Sequence, residues 1–176
     1  KRLDGGSWVS KDYAGAKIPS LEEVLLLDFK QSKLIIEVKN SGNMHPGLEK
    51  KIVDLVHKTM KSESVIYKSF GLETLAIFRD LDPKVEQVYV TIGPIIDGIL
   101  VIDDWARFGS LFDVDAEYYQ VHRFLASHSL VRKVKEAGKK LIIWDVQKPK
   151  HFEKMKELGI DIIETDWPEK VIRPLP

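Results

Sequence analysis

The 176 residues carry 27 basic and 27 acidic side chains, so the chain has no net charge and no overall electrostatic footprint for nucleic acid or an anionic membrane surface. It has no cysteine, which excludes a disulfide framework, a thiolate metal site and a cysteine nucleophile. No run of about 18 uninterrupted apolar residues is present to span a membrane; a cytoplasmic setting is the default expectation, and the length suffices to bury a sizeable core.

The first residue is Lys1, with no charged-then-apolar leader after it, so the native start is expected elsewhere. Residues 1–19 are rich in glycine and polar side chains, with Trp8 and Tyr13 as the only large anchors, and read as a structured loop. Ser20 with Glu23 three residues later forms a capping box, and Val24, Leu25, Leu27 and Phe29 supply the apolar stripe of a helix. Leu34-Ile35-Ile36-Glu37-Val38-Lys39 then reads as a short buried strand of a parallel sheet carrying two charges. Pro46-Gly47 opens a helix with Leu48, Ile52, Val53, Leu55, Val56 and Met60 on one broad face.

The same unit recurs. Val65 to Phe70 is strand-like, Leu72 to Leu81 is helical and ends before Asp82-Pro83, and Gln87 to Ile92 is a third strand. Between Gly93 and Glu117 the pattern predicts a helix or an insertion over Ile99 to Phe112. Tyr118 to Phe124 is a fourth strand, Ser129 to Ala137 a helix stopped by Gly138, and Leu141 to Val146 a fifth strand. Pro149 to Leu158 is a helix ended by Gly159, and Ile160 to Thr165 is the sixth strand.

Strands beginning near 34, 65, 87, 118, 141 and 160 have the spacing of consecutive βα units and point to a parallel α/β fold. There is no G-x-G-x-x-G and no G-x-x-x-x-G-K-[ST], which removes support for a dinucleotide fold or a P-loop. A (β/α)8 TIM barrel needs eight units and typically ~250 residues. About six are present, and two are expected to precede Lys1.

On the first strand Ile35, Glu37 and Lys39 share one face and Leu34, Ile36 and Val38 the other. In a barrel, Glu37 and Lys39 point inward near the carboxyl end, where such barrels keep their active sites. Two readings stay open. Positions two apart on a strand face lie about 6.6 Å apart, so the two charges can form a structural ion pair. Alternatively Glu37 is a ligand for a hard divalent cation, with Lys39 adding positive charge where a phosphate sits.

Several blocks then bear a family resemblance. Leu3-Asp4-Gly5-Gly6-Ser7-Trp8, Tyr13-Ala14-Gly15 and Ile18-Pro19-Ser20-Leu21-Glu22-Glu23-Val24-Leu25 resemble the L-D-x-G-S-W…[FY]-x-G…I-P-x-L-E-E-V-L segment of the glycerophosphodiester phosphodiesterase family. Ile36-Glu37-Val38-Lys39 is similar to its I-E-[IVL]-K strand and Ser69-Phe70 to its S-F strand end. Leu141 to Val146, with Trp144, resembles its W-T-V strand, and Gly159-Ile160-Asp161 through Thr165-Asp166-Trp167-Pro168 its G-[VI]-D…T-D-x-P ending.

The resemblance implies hydrolysis of small-molecule glycerophosphodiesters to sn-glycerol 3-phosphate and an alcohol, on a barrel using Ca2+ or Mg2+. It makes Glu37 a metal carboxylate, Lys39 the catalytic lysine near the phosphate, and Trp144 a substrate-binding residue lining the glycerol pocket. It makes residues 1–176 the C-terminal three quarters of one barrel domain, with 1–19 part of a small insertion beside the mouth. The family's H-R-G, E-x-D and H-D motifs, which hold its acid and base histidines and two further metal carboxylates, are not among these residues.

His45 follows the Glu37 strand in a loop, while His57, His122, His128 and His151 read as surface or packing residues. Asp145 and Gln147 stand where the family has threonine and commonly asparagine. Asp166 reads as a turn cap, and the strand phase leaves the direction of Glu164 open. A truncated, non-catalytic barrel relative acting as a binding module is the alternative, although six strands leave open edges that something must pair with.

Overall fold

The computed structural model describes residues 3–40, 44–91, 95–96, 99–101 and 108–171. In chain order the elements are α1 (Leu21–Leu25), β1 (Leu34–Glu37), α2 (Leu48–Lys58), β2 (Val65–Ser69), α3 (Leu72–Leu81) and β3 (Gln87–Thr91). Then come β4 (Ile95–Ile96), β5 (Ile99–Val101), β6 (Phe108–Ser110), β7 (Tyr118–His122) and α4 (His128–Glu136). The last are β8 (Lys140–Trp144), α5 (Pro149–Glu157), β9 (Ile162–Ile163) and α6 (Pro168–Val171).

Side-chain chemistry sets the helix starts. The Ser20 hydroxyl accepts the Glu23 N–H and the Glu23 carboxylate accepts the Ser20 N–H, so two orphan donors of α1 are satisfied reciprocally. The helix nevertheless stops at Leu25. Leu26 and Leu27 are exposed, and the expected stripe through Phe29 is not a helix face. Gly47 caps α2 with φ +75°, a left-handed conformation that costs glycine nothing and other residues strain. Ile52, Val53 and Val56 are then buried as their spacing requires, whereas Met60, beyond the last turn, is exposed.

Six strands form one parallel sheet in the order β1-β2-β3-β7-β8-β9. Each new strand adds to the same side of the last. A doubly wound sheet reverses direction at a switch point; this one does not, and it curls as a barrel wall does. The curl can be measured from the contacts. Lys68 on β2 and Glu164 just after β9 stand four strand steps apart, about 19 Å in a flat sheet, yet their charged atoms meet at 2.9 Å. The chain is therefore an α/β fold whose six parallel strands make a curled part of a (β/α)8-type barrel.

Residues 99–101 and 108–110 do not form the helix the pattern allowed. They pair antiparallel, as β5 with β4 and β6, in a separate three-stranded sheet between β3 and β7, so at these positions the insertion holds, while residues 102–107 of the expected range lie outside the described residues. Ile, Leu and Val in runs this short suit a strand as well as a helix, and length alone arbitrates.

The helix-facing side of the sheet buries two apolar clusters, one around Ile36, Val56, Tyr67 and Phe78, the other around Tyr119, Val121, Leu141, Ile143 and Met155. Tyr67 stacks on Phe78 with ring centroids 4.1 Å apart. Both rings are fully buried, and truncating such a phenylalanine to alanine costs about 3–5 kcal/mol.

Candidate active site at the carboxyl ends of the strands

The strand alternation sorts the inner face into a floor and a mouth. Ile35, Ile66, Val88, Val90, Tyr118, Ile142 and Ile162 pack together inside the wall. Two residues further along the same face come Glu37, Lys68, Gln120, Trp144 and Glu164, because side chains repeat every second position. The apolar floor thus carries a polar rim at the carboxyl ends.

Glu37 sits between two ammonium groups. Lys39 Nζ is 3.3 Å from one carboxylate oxygen and Lys68 Nζ is 3.2 Å from the other. The two lysines differ in burial. The Lys39 side chain is 76% exposed and that of Lys68 only 7%. Lys68 also donates to Glu164 at 2.9 Å, and the buried Gln120 amide donates to the same Glu164 oxygen at 2.8 Å. The structural ion pair is therefore present between Glu37 and Lys39, but it is one edge of a larger network.

Trp144 ends β8 in register with His122, which ends β7. Their rings meet edge to face at 4.9 Å, so His122 is a packing neighbour of the tryptophan at the mouth. The indole N–H of Trp144 is buried with no hydrogen-bond partner among the described residues. A buried donor left unpaired is uncommon, and an ordered water, an ion or a ligand oxygen can each supply its partner. The next residue, Asp145, takes φ +65°, a strained conformation for a residue with a side chain. Arg123 Nε holds its carbonyl at 3.0 Å, and the Gln147 amide reaches both Asp145 and Asp166, at 3.2 and 2.8 Å. Asp166 is thus tied to one side chain of the β8 loop, since its own N–H also donates to the Gln147 amide oxygen at 3.2 Å.

The strand end that carries Glu37 is fixed from behind. Ser69, buried on the helix-facing side, donates its hydroxyl to the Val38 carbonyl at 2.7 Å and accepts the Gly71 N–H at 3.1 Å. Val38 N–H in turn donates to the Lys68 carbonyl at 2.8 Å. Past β1, the buried Asn40 accepts the His45 N–H at 2.8 Å and donates to the buried Glu49 carboxylate at 2.8 Å. His45 itself is exposed.

Among the remaining histidines, exposed His57 bonds the Asp82 carboxylate at the far end of α3, and His128 is exposed on the first turn of α4. His151 has its imidazole pushed below the usual histidine range, first by burial and then by the cations of Arg123, Lys150 and Lys148.

Trp8 and Tyr13 do not anchor the first loop by burial, since they are 83% and 59% exposed. Asp4 anchors it instead. Its carboxylate accepts the Ser7 hydroxyl and the backbone N–H groups of Ser7, Gly6 and Gly15, and these bonds hold it well below the ordinary carboxylate range. A side chain at Gly6 would meet the Tyr13 carbonyl at 2.0 Å, which is why the loop needs glycine there.

Glu37 has the donor chemistry of one ligand to a hard cation. Among the described residues, no group of three histidines or acids could hold a metal ion by itself. None of the described helices is long and apolar enough to cross a membrane.

A curled parallel βα wall with its charges gathered at the carboxyl ends is the layout of a barrel enzyme. The model of the glycerophosphoryl diester phosphodiesterase family matches residues 1–170, and the chain belongs to that family. Its enzyme class is phosphoric diester hydrolase. A glycerophosphodiester phosphodiesterase of Caldanaerobacter subterraneus is 31% identical over 175 residues, covering 98% of this chain and 68% of that protein. A solved structure from Galdieria sulphuraria superposes with a TM-score of 0.77 at 26% identity, over 97% of this chain and 66% of that one. An Oleispira antarctica phosphodiesterase, solved with its product sn-glycerol-3-phosphate, superposes with a TM-score of 0.74 at 22% identity, again over 97% and 66%, and shares the fold. The chain spans about two thirds of the length of each of these relatives.

Proposed function

We propose that these residues form part of a site that hydrolyses glycerophosphodiesters to sn-glycerol 3-phosphate and an alcohol. The observation that carries this reading is the placement of Glu37 and Lys39 together at the carboxyl end of β1, on the inner face of the wall, with Glu37 held between two cations. A phosphodiester gathers negative charge as water adds to phosphorus and the bond to the alcohol oxygen breaks, with a proton of the water ending on the alcohol. Fixed positive charge at that point lowers the barrier more than it stabilises the bound substrate.

Lys39 is the group that meets the phosphate. Its ammonium is exposed on the mouth side and its only ion pair among the described residues is the loose one to Glu37, so it can shift toward a bound anion. Glu37 would hold a divalent cation, Ca2+ or Mg2+, as one carboxylate ligand; when bound, that cation adds charge neutralisation at the phosphate. Trp144 offers an apolar wall and an unpaired indole N–H to the glycerol moiety. Proton transfer is assigned to none of the five histidines here; the resemblance places it in the H-R-G and H-D motifs.

The test is product analysis with full-length protein. Glycerophosphocholine and glycerophosphoethanolamine are supplied separately, and sn-glycerol 3-phosphate is measured with and without EDTA, then after Ca2+ or Mg2+ is restored. Release that stops with EDTA and returns with the cation supports the reading. No release from either substrate under any condition contradicts it and favours the non-catalytic binding module.

A further inference from the structure

We propose that Lys68 is a positioning residue that holds the Glu37 carboxylate in its working orientation, with Glu164 and Gln120 fixing Lys68 in turn; this rests on the role of Glu37 given above. Glu37 makes ion pairs on both oxygens, but the two partners are unequal. Lys39 is exposed on a long flexible stem and cannot set a direction. Lys68 is buried, in register with Glu37 on the neighbouring strand, and its ammonium has little room to wander.

A buried ammonium needs compensation, because desolvating an unpaired charge is costly. Lys68 receives it from Glu164, whose carboxylate is itself steered by the Gln120 amide on the same oxygen. The contact at 2.9 Å to Glu164 is the shorter of its two, against 3.2 Å to Glu37. Glu164 therefore serves as the counter-ion, and Lys68 presents a fixed positive charge to Glu37. The chain of contacts runs from β7 through the end of β9 to β2 and then β1, so the mouth orientation of Glu37 depends on residues three and five strands away.

A plain structural tie across the wall would use the same atoms, and the two roles separate under one substitution pair. Lys68→Met with Glu164→Gln removes the ammonium and its counter-charge together, and leaves Gln120 an amide oxygen to donate to. Replacing both members of an ion pair by neutral groups of similar shape is close to neutral for stability, the more so here because Lys68 alone is buried and Glu164 is 47% exposed. The experiment measures kcat and KM for sn-glycerol 3-phosphate release from glycerophosphocholine by full-length protein, with the thermal midpoint taken on the same sample.

The expected result is a kcat lower by roughly 10–100-fold, the usual effect of losing a group that orients a ligand, with KM and the midpoint nearly unchanged. A folded double variant with wild-type kcat overturns the proposal and leaves the wall tie. Should that variant fail to fold, Lys68→Gln keeps a donor for Glu164 but carries no positive charge to present to Glu37, and the same drop in kcat is expected. Wild-type kcat in folded Lys68→Gln overturns the proposal equally. Absence of release by the wild-type protein overturns the functional reading and this inference with it, whereas release by wild type that these variants leave intact overturns this inference alone.

Discussion

The inside of the wall is closed by charge at both ends, and the two ends are built differently. At the amino end Lys33 pairs with Glu86, Tyr118 donates to Glu86, and the Lys140 ammonium lies over the Tyr118 ring. These residues start strands or stand one position before them, and their charges are wet: the Lys33 side chain is 46% exposed and that of Glu86 31%. At the carboxyl end Lys68 is buried, answers two carboxylates, and links strands from opposite edges of the wall. The same residue types thus do different things according to burial. Barrels use their amino end for stability and their carboxyl end for chemistry, and the exposures here follow that division.

Substitutions at the two ends should therefore separate activity from stability. The largest effect is expected for Lys39→Met, which removes charge at the phosphate: kcat/KM should fall about 10²–10³-fold, with an unchanged thermal midpoint because that lysine is exposed. A matching loss of stability would mean that the mouth is structural after all. Ser69→Ala should touch both quantities, since it strips the buried Val38 carbonyl of its partner between Glu37 and Lys39. A stability loss of about 1–3 kcal/mol, read by urea denaturation, should come with reduced kcat; stability loss at full kcat would show that the β1 end need not be held.

The smallest effect belongs to the amino end. Lys33→Met should cost no more than about 1 kcal/mol and leave kcat intact. Its pH dependence has a defined sign. Glu86 is held below its usual range, chiefly by the Lys33 hydrogen bond, so its share is present above the unfolded pKa and fades as pH falls through the folded one. Lys33 is raised, chiefly by Glu86, so its share is present below the unfolded pKa and fades as pH rises through the folded one. The difference in midpoint between wild type and variant should be flat between roughly pH 5 and 10 and shrink outside it; a difference that varies within that window would contradict the pairing.

Much of this was legible in the residues. The capping box at Ser20 and Glu23, the helix from Leu72 to Leu81 and the six strand positions all rest on local chemistry, which a sequence carries in full. The strand face of Glu37 followed from alternation alone. What escaped was non-local. Lys68 and Gln120 lie in phase with Ile66 and Tyr118, so their strand face was available from counting, but nothing local says that Lys68 meets a residue 96 positions later. The direction of Glu164 was open because β9 has only two residues, too few to fix a phase. The small sheet of β4 to β6 was missed as strands because its pairing is set by partners, not by periodicity.

On the proposed function, Glu37 works at the mouth and does not merely balance lysines. Its most direct test is Glu37→Gln in the full-length protein, with sn-glycerol 3-phosphate release and the thermal midpoint measured on the same preparation. Release lower by about 10²–10³-fold is expected, at a midpoint within a few degrees of wild type. Release at the wild-type rate from the folded variant would contradict it and return Glu37 to the role of an ion-pair partner.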